Sequence, residues 1–245
     1  MATARIEEKE GIVLSRVKQK EHDAMVSCLG PEGPFSFYAR GSFKMGSATS
    51  FCTQEGALSL LTLTISARDA LTLKEGKLKK LFQPRQSLDA MLVASALLEY
   101  PSRLLEEGDG PALFPWLRDS LDALEQGKDP YTVLCIFLAQ AMRLAGYGFE
   151  VDSCVSCHKT TDIVALDPRL GGFLCEDCLS QGEAPILGVS TLKAFRHAFR
   201  CAQEDLFRVT YPQTDARVAL KVLLEAIADR TGVRLSPLKF LFEHS

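Results

Sequence analysis

The chain lacks most signatures of catalysis. It has no glycine-rich phosphate loop, no G-x-S-x-G nucleophile elbow, and no H-x-E followed by P-C-x-x-C as in a zinc deaminase. Its only histidines are His22, His158, His197 and His244, too scattered to mark a Ser-His-Asp or Cys-His pair. His22-Asp23 falls between two strand-like runs and reads as a solvated turn. These absences argue against an enzyme and offer no site for a small-molecule substrate. No apolar run approaches the roughly 20 residues that span a bilayer, and there is no N-terminal apolar h-region, so a reducing cytoplasmic location with no membrane contact is expected. Bulk positive charge is also missing: the net charge is −3. No internal repeat or low-complexity tract is present.

What the chain does have is two C-x-x-C pairs, Cys154-Val-Ser-Cys157 and Cys175-Glu-Asp-Cys178, seventeen residues apart. Two intervening residues let a tight turn aim both sulfurs at one ion, and a hairpin with its turn at Leu170-Gly171-Gly172 brings the pairs together. One structural Zn2+ held by Cys154, Cys157, Cys175 and Cys178 is expected, since four thiolates leave no position open for water. A thioredoxin-like reading needs one pair opening a helix, whereas Ile163–Leu166 between these pairs is strand-like. Disulfides fit poorly with a reducing compartment. His158 follows Cys157 directly and should point away from the turn. The single cysteines Cys28, Cys52, Cys135 and Cys201 read as small buried hydrophobes.

With 245 residues and 47% hydrophobic content, the chain can bury a large core. Its charge is uneven. Residues 1–82 hold twelve Lys or Arg against nine acids, 83–153 five against eleven, and 154–245 eleven of each. Five short runs, Gly11–Val17, Ala24–Leu29, Phe35–Arg40, Leu58–Ile65 and Ala70–Leu73, suit strands separated by turns at Gly30–Gly33, Gly41–Ser50 and Lys74–Lys77. Five strands in so short a stretch fit a small barrel, either of the oligonucleotide-binding (OB) kind or SH3-like. From about residue 84 the period becomes helical. Ser87–Glu107, Pro111–Gln126 and Pro130–Ala145 read as helices with Ser or Pro starts and Gly stops, and Thr191–Phe207 and Asp215–Thr231 follow the cysteine hairpin. The third is apolar nearly all round and should be the centre of a bundle. The expected class is α+β: a barrel domain over 1–82, then an α-helical domain over 83–245 with the zinc hairpin inserted at 152–180.

Two groups of cations stand out. On the helix from Thr191, Leu192, Phe195, Phe199, Ala202 and Leu206 form a core stripe, and Lys193, Arg196, His197 and Arg200 share another face. Lys74, Lys77, Lys79 and Lys80 cluster after the last barrel run. The helix group reads either as a solvated face or as a contact for nucleic-acid phosphates, and the lysine group either as a charged turn leading into a linker or as the same kind of contact.

The order of barrel, helices and late C-x-x-C hairpin resembles the RecO family of bacterial recombination mediators. Gly11–Leu14, Glu21-His-Asp23, Val26, Leu29, Gly33 and Ala39-Arg-Gly41 are similar to its first three strands. Gly146-Tyr147, Asp152, the two cysteine pairs and Gly171-Gly172 are similar to its metal hairpin, and Thr231–Lys239 to its C-terminal segment. The resemblance implies a non-enzymatic protein acting at the bacterial nucleoid. Such a protein binds single- and double-stranded DNA on its barrel, anneals complementary strands and helps load recombinase onto coated single strands. Its partners are RecR and the C-terminal tail of single-strand-binding protein. Phe35, Phe37, Tyr38 and Phe43 are the aromatics available for base stacking, though alternation turns only some outward. The family's arginine- and lysine-dense loop is here Ser42–Ala48, with Lys44 alone. DNA contact is therefore expected to be shared among Arg40, Lys44, Lys74, Lys77, Lys79, Lys80, Lys193, Arg196 and Arg200. Two other readings remain open. One is an adaptor with little DNA affinity of its own. The other is a zinc-ribbon nucleic-acid factor, which the acidic hairpin disfavours.

Overall fold

A computed structural model describes residues 5–105, 110–179 and 184–243. The sequence-predicted end of the first long helix, through Glu107, runs outside these residues. The chain divides into two compact units, Met1–Glu125 and Gln126–Ser245.

The first unit is built on five strands: β1 (Arg5–Lys18), β2 (Ala24–Gly30), β3 (Gly33–Ala39), β4 (Ala57–Ile65) and β5 (Leu71–Leu81). They close in the order β1-β2-β3-β5-β4, all neighbours antiparallel except β3 and β5, which meet in parallel at Tyr38↔Thr72. β1 has two partners at once. Its first half pairs with β4 from Arg5↔Ile65 to Ile12↔Leu58, and its second half with β2 from Ile12↔Leu29 to Lys18↔Ala24. Side chains of alternate residues fill the interior, among them Val13, Val26, Cys28, Phe37, Leu61 and Leu63. Ile12 and Leu29, paired on the opposite face, are also fully buried, on strands that α2 (Leu88–Leu104) contacts.

Two sequence expectations change here. Lys74–Lys77 is not a turn but lies inside β5, whose pairing with β4 runs to Leu81. The alternation of Leu71, Leu73, Leu78 and Leu81 is thrown out of phase by register shifts that leave Lys74 and Lys79 without a partner opposite. Gly41–Ser50 is not all loop, because α1 (Ala48–Cys52) begins within it, capped by the Ser47 hydroxyl accepting from the Ser50 N–H. Gly76 is what lets α1 lie on β5: a Cβ there would come within 2.4 Å of Cys52 Sγ. α2 starts at the Ser87 cap as the sequence predicts, and it packs with α3 (Leu113–Glu125).

The second unit centres on α4 (Pro130–Leu144), buried at every residue from Tyr131 to Met142 as its all-round apolar character predicts. Asp129 caps it and Pro130 occupies its first turn. α5 (Val189–Arg200) and α6 (Gln213–Thr231) pack on α4 and on each other, and a short α7 (Leu238–Glu243) follows. α5 stops at Arg200, earlier than the sequence-predicted Phe207. Its stripe is completed by a 3₁₀ turn, Gln203–Phe207, in which the Asp205 carboxylate accepts from the Ala202 N–H. Leu206 is thereby buried, whereas Ala202 is exposed. Between α4 and α5 sits a three-stranded sheet in the order β6-β8-β7, formed by β6 (Glu150–Cys154), β7 (Ile163–Asp167) and β8 (Gly172–Cys175). Gly171 turns β7 into β8 with φ +73. Phe149 and Phe173 meet Phe195 and Phe199 of α5 at ring separations of 5.3 to 6.1 Å, which seats this sheet on the helix.

Candidate functional site

The hairpin gathers Cys154, Cys157, Cys175 and Cys178, with all four sulfurs within 4.8 Å of one another. Cys154 ends β6 and Cys175 ends β8, and each starts a tight turn. The His158 N–H donates to the Cys154 carbonyl at 2.8 Å, and the Leu179 N–H to the Cys175 carbonyl at 3.1 Å. The Cys157 and Cys175 sulfurs stand 3.6 Å apart. That is far beyond a disulfide bond and close to the edge of about 3.8 Å expected for a tetrahedron with metal–sulfur bonds of about 2.3 Å. Burial pushes the Cys154 thiol up, yet backbone N–H groups of Cys175, Cys157 and Ser156 bring it down to about 6. Cys178 is pushed up to about 12 by hydrogen bonding to Cys157 and Cys175. The set fits a soft, closed, tetrahedral metal site. His158 is exposed at φ +62 and does not join the cluster. Lys159 bridges the two turns by pairing with Asp162 at 2.7 Å and Asp177 at 3.0 Å, so its charge is neutralised in place.

The cations singled out in the sequence fall into two groups. Arg40, Lys44, Lys74 and Lys77 are exposed on the barrel unit and make no ion pair among the described residues. Arg40 and Lys74 each lie two residues past the parallel Tyr38↔Thr72 bridge, so β3 and β5 carry them toward the same end of the barrel. Lys79 instead pairs with Glu10, and Lys80 with Asp122 and Glu125. On α5, Lys193 is exposed and unpaired among the described residues, while Arg196 and Arg200 both hold Asp152. The aromatics divide similarly. Phe37 is core, and Phe35 stacks on it at 6.2 Å. The Tyr38 hydroxyl donates to Asp23 at 2.5 Å, and the Arg16 guanidinium lies 4.3 Å over Phe43. The sequence marks Asp152 only through its likeness to the family's metal hairpin and does not mark Arg16 at all; strand pairing and helix packing bring the two to their partners.

A family model described as "Recombination protein O C terminal" matches residues 85–238. The chain belongs to the RecO family. Proteins named DNA repair protein RecO resemble it along nearly its whole length. That of Halalkalibacterium halodurans is 27% identical over 238 residues, covering 95% of this chain and 92% of its own. That of Syntrophus aciditrophicus is 26% identical over 253 residues, covering 99% and 98%. That of Bacillus cereus strain B4264 is 28% identical over 240 residues, covering 95% of each. The comparisons therefore extend through the barrel, beyond the 85–238 segment. No helix among the described residues is long and apolar enough to cross a membrane.

Proposed function

We propose that this protein acts in DNA repair and homologous recombination as a mediator. In this role it binds single- and double-stranded DNA, promotes annealing, and with RecR helps load recombinase onto strands coated by single-strand-binding protein, whose C-terminal tail it engages. It works by binding, at the nucleoid in the cytoplasm, and one Zn2+ braces its hairpin. Residues 1–82 are the DNA-binding module, of OB type, and residues 83–245 serve partners.

The observation that carries this reading is the closed strand order β1-β2-β3-β5-β4 in a member of this family, bearing four exposed cations, Arg40, Lys44, Lys74 and Lys77, that make no ion pair among the described residues. A five-stranded closed barrel of this kind suits oligonucleotides, whose phosphates follow positive charge across the strands. Anisotropy of a labelled single-stranded oligonucleotide, titrated with full-length protein at several salt concentrations, tests it. Four phosphate contacts correspond to a log–log salt slope of about −3. Charge reversal of Lys74 and Lys77 together then flattens the slope by about 1.4.

A second reading, the adaptor, is favoured by one observation: Lys79, Lys80, Arg196 and Arg200 are all engaged by carboxylates of the protein itself. Absence of oligonucleotide binding at low salt, with RecR captured in the absence of DNA, selects that reading.

A further inference from the structure

Within the unit Met1–Glu125, a cleft of about 500 Å³ opens between the loop after Gly41, the segment that leaves β5, and α2. Its volume lies in the range of roughly 300–1,000 Å³ typical of sites for small organic groups. Part of its wall is apolar, from Phe43, Phe82, Met91 and Leu98. The rest presents guanidiniums from Arg16 and Arg85 and amides from Gln54 and Gln83. Arg16 is held rigidly. It lies 4.3 Å over the Phe43 ring and donates from Nη1 to the Ser42 carbonyl at 2.9 Å. The Phe43 N–H donates to the His22 carbonyl at 2.9 Å, so the loop carrying this pair is pinned as well. The Gln54 side-chain amide has no hydrogen-bond partner among the described residues, and the cleft's single carboxylate, Glu55, accepts from the Arg16 N–H at 3.3 Å.

We propose that this cleft receives one unstacked base of a single DNA strand. A flat guanidinium already layered on an aromatic ring extends that stack by one more plane. The amide of Gln54 supplies a donor and an acceptor together, so it can meet the edge of any base, which suits sequence-tolerant binding. The neighbours agree. Lys44 follows Phe43 directly, and Arg40 begins the same loop, so two exposed cations lie close in the chain to a residue of the cleft wall and are available for the flanking phosphates. The two guanidiniums outweigh Glu55, so the cleft complements a polyanion. This inference rests on the DNA-binding reading and adds to it a place where the base, rather than the phosphate, is held.

The test compares two labelled single strands of equal length, one carrying its bases and one abasic throughout, bound to full-length protein. The wild type should favour the base-bearing strand by roughly tenfold. Ser95→Trp, at an exposed α2 position on the cleft wall, should fill the cleft. It should weaken binding of the base-bearing strand to near the abasic level and leave the abasic strand unaffected. Gln54→Ala provides an independent variant that adds no bulk, with a smaller loss of the same preference. If Ser95→Trp does not fold, judged by thermal unfolding, Gln54→Ala alone decides. A preference that survives in the folded variants, or a wild type that binds both strands equally, overturns the base site and leaves the DNA-binding reading standing. A wild type that binds neither strand removes both.

Discussion

Arg196 holds the Asp152 carboxylate through two nitrogens, Nη2 at 2.8 Å and Nε at 3.1 Å, and so fastens α5 to the strand that leads into the cysteine cluster. Arg200 reaches the other oxygen of the same carboxylate at 3.2 Å. Both guanidiniums are more than half exposed, so the contacts stabilise the fold by at most about 1 kcal/mol. Asp152→Asn should leave the melting temperature nearly unchanged and release two cations. If α5 faces DNA, affinity at low salt rises and the salt slope steepens by up to about 1.4. A slope equal to that of the wild type would assign these arginines to the helix–hairpin contact alone.

Gly76 and Cys52 make a second testable pair. Gly76→Ala places a methyl group against Cys52 Sγ and should cost about 1–3 kcal/mol by overpacking. Adding Cys52→Ala removes the obstructing sulfur and should restore part of that loss. Chemical denaturation of the single and double variants measures the coupling, and additive losses would show that α1 does not rest on β5 in this way.

For the cysteine cluster, metal analysis of protein purified without chelator should find about one zinc per chain. Chelation should then loosen the hairpin, as should Cys154→Ser or Cys175→Ser, because binding energy at such sites is folding energy. Hydrogen exchange over residues 150–178 reports this locally. Protein that is metal-free yet equally protected there would remove zinc from the account.

Asp23 links pH to the barrel. Its carboxyl lies below the usual aspartate range, first because the Tyr38 hydroxyl donates to it and then because the Gly41 N–H does. A depressed carboxyl contributes stability above the unfolded value of about 3.9 and loses it as pH falls through the folded value. The same bond raises the Tyr38 phenol, which contributes below about 10 and loses its effect as pH rises further. Tyr38→Phe should therefore shift the acid unfolding limb of the barrel to higher pH and weaken the alkaline dependence. Identical acid limbs in the two proteins would contradict the linkage.

The cysteine hairpin was the most legible part of the chain, because ligand spacing and a Gly-Gly turn are local signals that need no knowledge of the rest. The helices were nearly as clear where a cap and a stop flank a periodic stretch, as at Ser87 and Pro130. The failures lie where tertiary structure overrides a local pattern. Lys74 to Lys80 reads as a charged turn, since its bulges break the alternation that would mark a strand. The first residues of β1, Arg-Ile-Glu-Glu-Lys-Glu, are too polar to suggest a strand, yet β4 pairs with every one of them. The stripe on α5 extrapolates through Leu206 because nothing between Arg200 and Leu206 is a Gly or Pro, although the helix has already ended. The cation clusters were visible as sequence, but their neutralisation by Glu10, Asp122, Glu125 and Asp152 depends on residues far away in the chain.

The double pairing of β1 also sets the order in which the barrel can assemble during synthesis. β2 follows β1 within a few residues and can fold back on its second half at once. The first half must wait for β4, which ends 47 residues after β1 does, an interval of roughly 2–10 s at ordinary elongation rates. Through that interval Arg5 to Gly11 offer an unpaired edge, and their run of consecutive charged residues, Glu7, Glu8, Lys9 and Glu10, keeps that edge unattractive to other nascent strands. The polarity that hides this strand from sequence reading thus protects it on the ribosome.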